Sequence, residues 1–399
     1  MSQKLLEITM TEPYKLPNGW KWARLGEVCE FLDAMRIPVN EAERQKRIAG
    51  KKQSDLYPYY GANGQVGWID DYLFDEELVL LAEDGGFFGS IEKPIAYKVN
   101  DKCWVNNHVH VLRAKRDLID VDWLHLSLSI RPDIIQFVSG TTRPKLNQEQ
   151  ASLIPIPLPF LSVQRRIAIK LQELMQEVER ARNACEKQLS AVKALPSAYL
   201  REVFESEEAK KWERKKLGEV CEFLDHRRIA INDEERQCRI IGKPQSELYP
   251  YYGANGQIGW IDSYIFDEEL VLLAEDGGFF GSHEKPIAYR VSGKCWVNNH
   301  AHVLRPKNNV DIEWLHFSLR IRPDVGDMVT GSTRPKLNQE VAAQIPIPLP
   351  PLPEQLHIAA ELKEKMAYVD KLRTFIEKQL ETISTLPQAI LRKAFRGEL

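Results

Sequence analysis

The sequence predicts an α+β fold: two globular mixed α/β domains separated by two long antiparallel coiled-coil helices, with a pseudo-twofold internal repeat. Three observations point to it. The run Tyr57–Arg113 returns as Tyr249–Arg305, 192 residues later, with 49 of 57 positions unchanged, and GTTRPKLNQE from Gly140 returns as GSTRPKLNQE from Gly331. A stacked solenoid repeats every ~20 to 50 residues, so a spacing this long marks two copies of a whole domain. Each copy also changes character at a proline-rich exit, IPIPLPFL from Ile154 and IPIPLPPLPEQ from Ile345, beyond which apolar residues recur every three or four positions. That spacing is the stripe of an amphipathic, coiled-coil-forming helix.

In chain order, residues 1–160 read as the first globular domain. Short β-rich runs such as ELVLLAE and CWVNNHVHVLR alternate with Gly, Asn and Pro, and a helical stretch begins at Val121. Residues 161–205 read as the first spacer helix, with the stripe Ile167, Leu171, Leu174, Val178, Ala181, Cys185, Leu189 and Val192. Residues 206–351 repeat the globular domain. Residues 352–399 read as the second spacer helix and a C-terminal tail, with the stripe Ile358, Leu362, Met366, Val369, Leu372, Ile376, Leu380 and Ile383. A proline inside a helix kinks it, so each helix is expected to end near Pro196 or Pro387. About 30 helical residues at ~1.5 Å each then give roughly 45 Å, somewhat more than the ~34 to 36 Å of one B-DNA turn. The second helix has its own stripe to bury and most simply runs back along the first, which makes the two copies dyad-related.

With 399 residues, 43% apolar and 28% charged, the chain can build two cores of ~100 to 200 residues each. None of Cys29, Cys103, Cys185, Cys221, Cys238 and Cys295 lies in a CxxC or a Cys/His cluster. That argues against a zinc site or a disulfide framework and for a reducing compartment. The amino terminus lacks the apolar core of a signal peptide and no eighteen apolar residues run together, so a cytoplasmic protein without a membrane partner is expected. A net charge of -3 leaves nucleic acid open, because phosphate binding depends on where cations cluster.

The strongest cluster is Arg36, Arg44, Lys46, Arg47, Lys51 and Lys52, matched by Arg227, Arg228, Arg236, Arg239 and Lys243. Such a run either tracks phosphates or forms a solvated face. A second candidate is TTRPKLNQ, with Thr142, Arg143 and Lys145, repeated as Thr333, Arg334 and Lys336; such residue types mostly hold phosphate oxygens. Asn106 and Asn107, with Asn298 and Asn299, offer amides to base edges or, equally, the turn chemistry of an Asn pair entering a strand. Glu83 and Asp84, with Glu275 and Asp276, favour Asp-Gly turn chemistry over a metal site. The GGFFGS that follows at Gly85 and Gly277 reads as a tight loop or a close backbone approach to a ligand. His108 and His110, with His300 and His302, fall on one face of a predicted strand, a two-ligand spacing without an evident third ligand. The common nucleophile, zinc-protease, P-loop and dinucleotide motifs are absent.

Read in order, these segments resemble the DNA specificity subunit of type I restriction-modification systems. The likeness rests on W…LGEV at Trp22 and Trp212, YYGANGQ(V/I)GWID, the EDG loop, VNNH(V/A)HVLR, TRPKLN, IPIPLPPLPEQ and the terminal ILRKAFRGEL. It covers nearly the whole chain, and the order of the motifs, twice over, makes it specific. The first copy departs in its exit, LPFLSVQRRIAIKL, and has VFESEEA where the second has AFRGEL. The resemblance implies two target recognition domains reading double-stranded DNA, and long helices that hold two modification (methyltransferase) subunits. It also implies a chain without catalysis or cofactor of its own: SAM, ATP and Mg belong to the modification and restriction subunits. Motifs shared across such a family serve fold and docking. Base reading is therefore expected in Ala34–Ser54, His226–Ser246 and the glycine loops, with the copy differences Ala34/His226, Met35/Arg227 and Ile91/His283 as the informative swaps. Two other functions compete with this one: a nucleic-acid-processing enzyme using Asp84 and His108, and a protein-interaction scaffold.

Overall fold

A computed structural model describes residues 14–140, 144–331 and 333–399. The chain divides into two compact units, Met1–Cys185 with Lys378–Leu399, and Glu186–Glu377. Each unit therefore contains the start of one long helix and the end of the other.

In the first unit an antiparallel four-stranded sheet runs in the order Cys29–Phe31, Val109–Ala114, Leu78–Ala82, Ala96–Val99. Every residue of Leu78–Ala82 is buried, as a strand covered on both faces must be. Its side chains alternate. Val79 and Leu81 join the core beneath the helix Val121–Ser129, while Leu78 and Leu80 join a second core with Phe74, Cys103 and Val105. At ~1.5 to 3 kcal/mol per buried side chain, this strand alone anchors the unit. A three-stranded sheet, Gly64–Ile69, Tyr57–Gly61 and Trp104–Val105, lies beside it in sequence, its last pair parallel. Asp120 starts the helix Val121–Ser129 by accepting from the Asp122 and Trp123 amides, and Trp123 fills the core. The proline-rich exit forms an edge strand, Pro155–Leu158, paired with Lys21–Arg24, a place where missing amides cost little.

The second unit repeats this architecture with Cys221–Phe223, Ala301–Pro306, Leu270–Ala274 and Ala288–Val291. Leu270–Ala274 is again wholly buried, and its alternate residues again split between two cores.

The long helices span Leu161–Phe204 and Leu352–Phe395, 44 residues each, or about 66 Å at ~1.5 Å per residue. The sequence-based expectation ended them near Pro196 and Pro387; both helices instead run through their prolines. An interior proline costs ~3 kcal/mol. The turns beyond it bury more than that: Leu200, with Tyr199, Val203 and Phe204 beside it, joins Trp314, Phe317 and Leu362 in the second unit. Leu391, Ala394 and Phe395 likewise join Trp123, Ile167 and Leu171 in the first. The beginning of one helix thus shares a core with the end of the other, twice, so the two run antiparallel. Val369 and Ile376 of the second stripe are each 3% exposed, whereas Ala181 of the first lies exposed. Among the described residues no helix is long and apolar enough to cross a membrane.

Candidate nucleic-acid interface

The segment motifs converge at one place in each unit, where Leu78–Ala82 ends. In the first unit Asn63, in the turn of the GANG hairpin, donates to the Gly85 carbonyl at 3.2 Å. Asn106 caps its own turn by accepting from the His108 amide at 2.9 Å. His108 Nδ1 lies 2.7 Å from Asp84 Oδ1. The TRPKLN segment closes on the same loop: Leu146 donates its amide to the Glu83 carbonyl at 2.7 Å, and Lys145 exchanges both backbone bonds with Ser139. Gly85, with φ at 70°, turns the loop through the left-handed region that favours glycine.

Beneath these loops lies a buried ion-pair network. Arg36 Nη1 donates to Glu83 Oε2 at 2.7 Å and to the Val109 carbonyl at 2.6 Å, and Lys145 Nζ stands 3.0 Å from Glu83 Oε1. Asp33 takes the Val111 amide at 2.9 Å on one oxygen and His110 Nδ1 at 2.6 Å on the other. His110 Nε2 faces the Leu146 carbonyl at 2.7 Å. The second unit reproduces the set. Arg228 lies 2.6 Å from Glu275, Lys336 3.1 Å from Glu275, His302 2.6 Å from Asp225 and 2.8 Å from the Leu337 carbonyl. Asp33, Glu83 and His110, and their mates, bring three ligand-type atoms within 4.8 Å. Arginine and lysine already occupy the carboxylates, so the arrangement is an ion-pair lattice that ties the TRPKLN segment to the sheet.

The basic cluster is redistributed. Arg44 and Arg236 are buried under the hairpin, donate to the Trp68 and Trp260 carbonyls at 3.3 Å, and lie over the rings of Tyr59 and Tyr251. A Cβ at Gly67 would stand 2.2 Å from Arg44 Nη1, so this hairpin position admits only glycine while the arginine stays where it is. Lys51 and Arg47 grip Asp70 at 2.7 and 2.6 Å and hold its carboxyl below the usual range; Lys243 and Arg239 do the same to Asp262. Arg36, Arg44, Arg228 and Arg236 are thus held by burial and by intramolecular partners. Arg227 is partly claimed too, lying 3.0 Å from Glu268 and over Phe266, where its mate Met35 is exposed. Lys46 and Lys52 are exposed, but their repeat mates are Cys238 and Pro244.

The residues left at the surface of the loop junction are Asn107 and Lys145, and Asn299, Thr333, Arg334 and Lys336. Arg334 reaches Asp276 at 2.8 Å and His300 at 3.3 Å. Thr142 and Arg143 lie outside the described residues. Asn106 and Asn298 serve the turn, through an oxygen that accepts from the amide two residues on. The two histidines of each pair part company: His110 is buried in its strand, while His108 stands in the turn before it and is about two-fifths exposed. The Ile91/His283 swap falls beside a long helix, since Ser197 donates to the His283 carbonyl at 2.5 Å. Sequence reasoning did not single out Asp33 or Asn63. Their signal was there, because Asp33 and Asp225 are unchanged next to Ala34 and His226, which differ.

The family profile of the type I restriction modification DNA specificity domain matches residues 17–185 and 209–384. The chain is 26% identical over 423 residues to the type I restriction enzyme EcoDI specificity subunit of Escherichia coli, covering 96% of this chain and 90% of that one. It is 35% identical over 154 residues to a putative type I restriction enzyme specificity subunit of Haemophilus influenzae, covering 39% of this chain and 37% of that protein. Among solved structures, a chain from work on complex assembly and conformational transition of the type I R-M system superposes with a TM-score of 0.70 at 23% identity, covering 97% of this chain and all of that one. The HsdS subunit from Thermoanaerobacter tengcongensis gives 0.57 at 22%, covering 97% and 99%. At these identities the superpositions speak for the fold alone. The profile spans most of the chain in two blocks that coincide with the internal repeat, and on that evidence the chain belongs to the family of type I restriction-modification DNA specificity subunits.

Proposed function

We propose that this chain reads a bipartite site in double-stranded DNA, each unit contacting one half through its loop junction, and that the two half-sites are similar and inverted. One observation carries the proposal: the junction and the network beneath it occur twice with the same residues and nearly the same distances. Lys145 and Lys336, each about half exposed, together with Arg334, supply phosphate contacts, and Asn107 and Asn299 supply amides for base edges. The inverted order of the half-sites draws support from the two long helices, each of which begins in one unit and ends in the other. Similar half-sites follow from similar readers, with a nonspecific spacer between them.

In this proposal methylation and cleavage belong to partner subunits: two modification subunits carrying SAM and held by the long helices, and restriction subunits using ATP and Mg. The chain itself contributes recognition. Selection of duplexes from a random pool by the assembled complex tests this, with one bipartite, near-palindromic consensus expected. Enrichment of two unrelated half-sites would overturn the proposal of similar readers. Cutting of DNA by the purified chain with magnesium alone would overturn the division of labour.

A further inference from the structure

The two copies diverge at a groove between a long-helix end and the Arg-Pro-Asp turn of the same unit. In the first unit the groove lies between the last turns of the second long helix and Arg131–Asp133, and Tyr14 enters it. The Tyr14 ring meets Trp22 edge-on with centroids 5.0 Å apart and lies 5.7 Å from the Arg396 guanidinium. Burial pushes its hydroxyl up to about 12. The space that remains is about 240 Å³. In the second unit the walls recur, Leu200 and Phe204 standing for Leu391 and Phe395, and Ile321–Asp324 for Ile130–Asp133. The aromatic filling does not. Trp22's mate is Arg214, none of the residues that line the second cavity is a counterpart of Tyr14, and the cavity measures about 400 Å³. The additional space is on the order of the ~150 Å³ that accommodates a benzene ring.

The rim is charged. Arg201 and Arg214 are exposed against a single exposed glutamate, Glu205, while Arg322 is already held by Asp324 at 2.5 Å. We propose that this groove of the second unit docks an aromatic side chain, preferentially tyrosine, presented by a segment of a partner protein with an acidic residue close by. The ring takes the place that Tyr14 takes in the first unit, over Leu200, Phe204 and Ile321, and the acidic neighbour meets the arginine rim. The first unit cannot offer the same site, because its own chain fills it. The proposal concerns the second unit alone and holds whether or not the loop junctions read DNA.

The probe is a labelled peptide with the sequence of residues 10–20, MTEPYKLPNGW, which carries the Tyr14 ring and an acidic neighbour, titrated with the full chain by fluorescence anisotropy. Saturable binding at one peptide per chain is expected. It should weaken at least tenfold when the peptide tyrosine is replaced by alanine, or when the chain carries Arg214→Trp, which places at the rim the ring that Trp22 supplies in the first unit. The variant Arg214→Glu, which reverses the rim charge, should also weaken binding, and it guards against misfolding of Arg214→Trp. No saturable binding, equal binding of the alanine peptide, or undiminished binding to both Arg214→Glu and Arg214→Trp would each overturn the proposal. A second copy is the rival occupant. A chain that self-associates, and loses that association on Tyr14→Ala, would assign the groove to the copy and overturn the partner assignment; a monomer that binds the peptide supports it.

Discussion

Replacing Arg36 with methionine separates a framework role from a DNA contact. The guanidinium donates to Glu83 at 2.7 Å, to the Val109 carbonyl at 2.6 Å and to the Asp33 carbonyl at 3.0 Å, with 14% of its side chain exposed. Methionine keeps most of the apolar stem and removes the charge, leaving Glu83 to Lys145 at 3.0 Å and, more distantly, to His110 Nδ1 at 3.9 Å. Breaking a buried pair from one side costs ~3 to 5 kcal/mol, and the surviving lysine places this case near the lower bound, about 3 kcal/mol. For a unit of this size each kcal/mol lowers the melting temperature by ~2 to 4 °C, so a fall of roughly 6 to 12 °C is expected. Calorimetry of the full chain reads it, and a double-mutant cycle with Glu83→Gln should return a coupling of at least ~1.5 kcal/mol. Arg36→Met should leave the salt dependence of DNA binding unchanged, whereas Lys145→Ala should flatten log K against log salt by about 0.9. A variant that melts like the parent but loses a unit of salt slope would refute the framework assignment.

Exchanging Ala34→His together with Met35→Arg makes the first unit's Ala34–Ser54 segment begin like the second's, and should bring the two selected half-sites closer in sequence; an unchanged consensus in duplex selection would place asymmetry elsewhere. The His316 ring, with Lys363 and Arg290, holds Glu313 at about 2, below its ordinary 4.5. Its contribution, about 2 kcal/mol after solvent screening, is therefore complete above about pH 4.5 and lost as pH falls toward 2, and Glu313→Gln should flatten that acid limb in urea titrations. Burial pushes the thiols of Cys29, Cys103, Cys221 and Cys295 up to about 12, so a thiol reagent should modify exposed Cys238 first, half-buried Cys185 later, and those four only after unfolding.

The two-domain repeat, the buried strand ELVLLAE and the helical stripes were legible because each rests on a periodicity that local sequence sets. The helix ends were not. Whether Pro196 ends a helix depends on what Leu200 and Phe204 bury beyond it, and that is a tertiary quantity. The pairing within the basic cluster was not legible for a related reason: a list of Arg and Lys does not say which of them a carboxylate distant in sequence has claimed. Asp70 and Glu83 claim Arg47, Lys51 and Arg36 across 23, 19 and 47 residues. The pairing of Asn106 with its own turn was one of two alternatives the sequence left level, and the structure shows the Asn106 oxygen accepting from the His108 amide. What could have been read is the network partner Asp33, an unchanged residue beside a changed one.

Mapping of modified bases in the genome of cells that express the complete system tests the central claim, two similar readers of inverted half-sites, most directly. The account predicts one bipartite motif whose halves are near-inverted copies, modified on opposite strands across a nonspecific spacer. Two halves of unrelated sequence, or two halves repeated in the same direction, would contradict it.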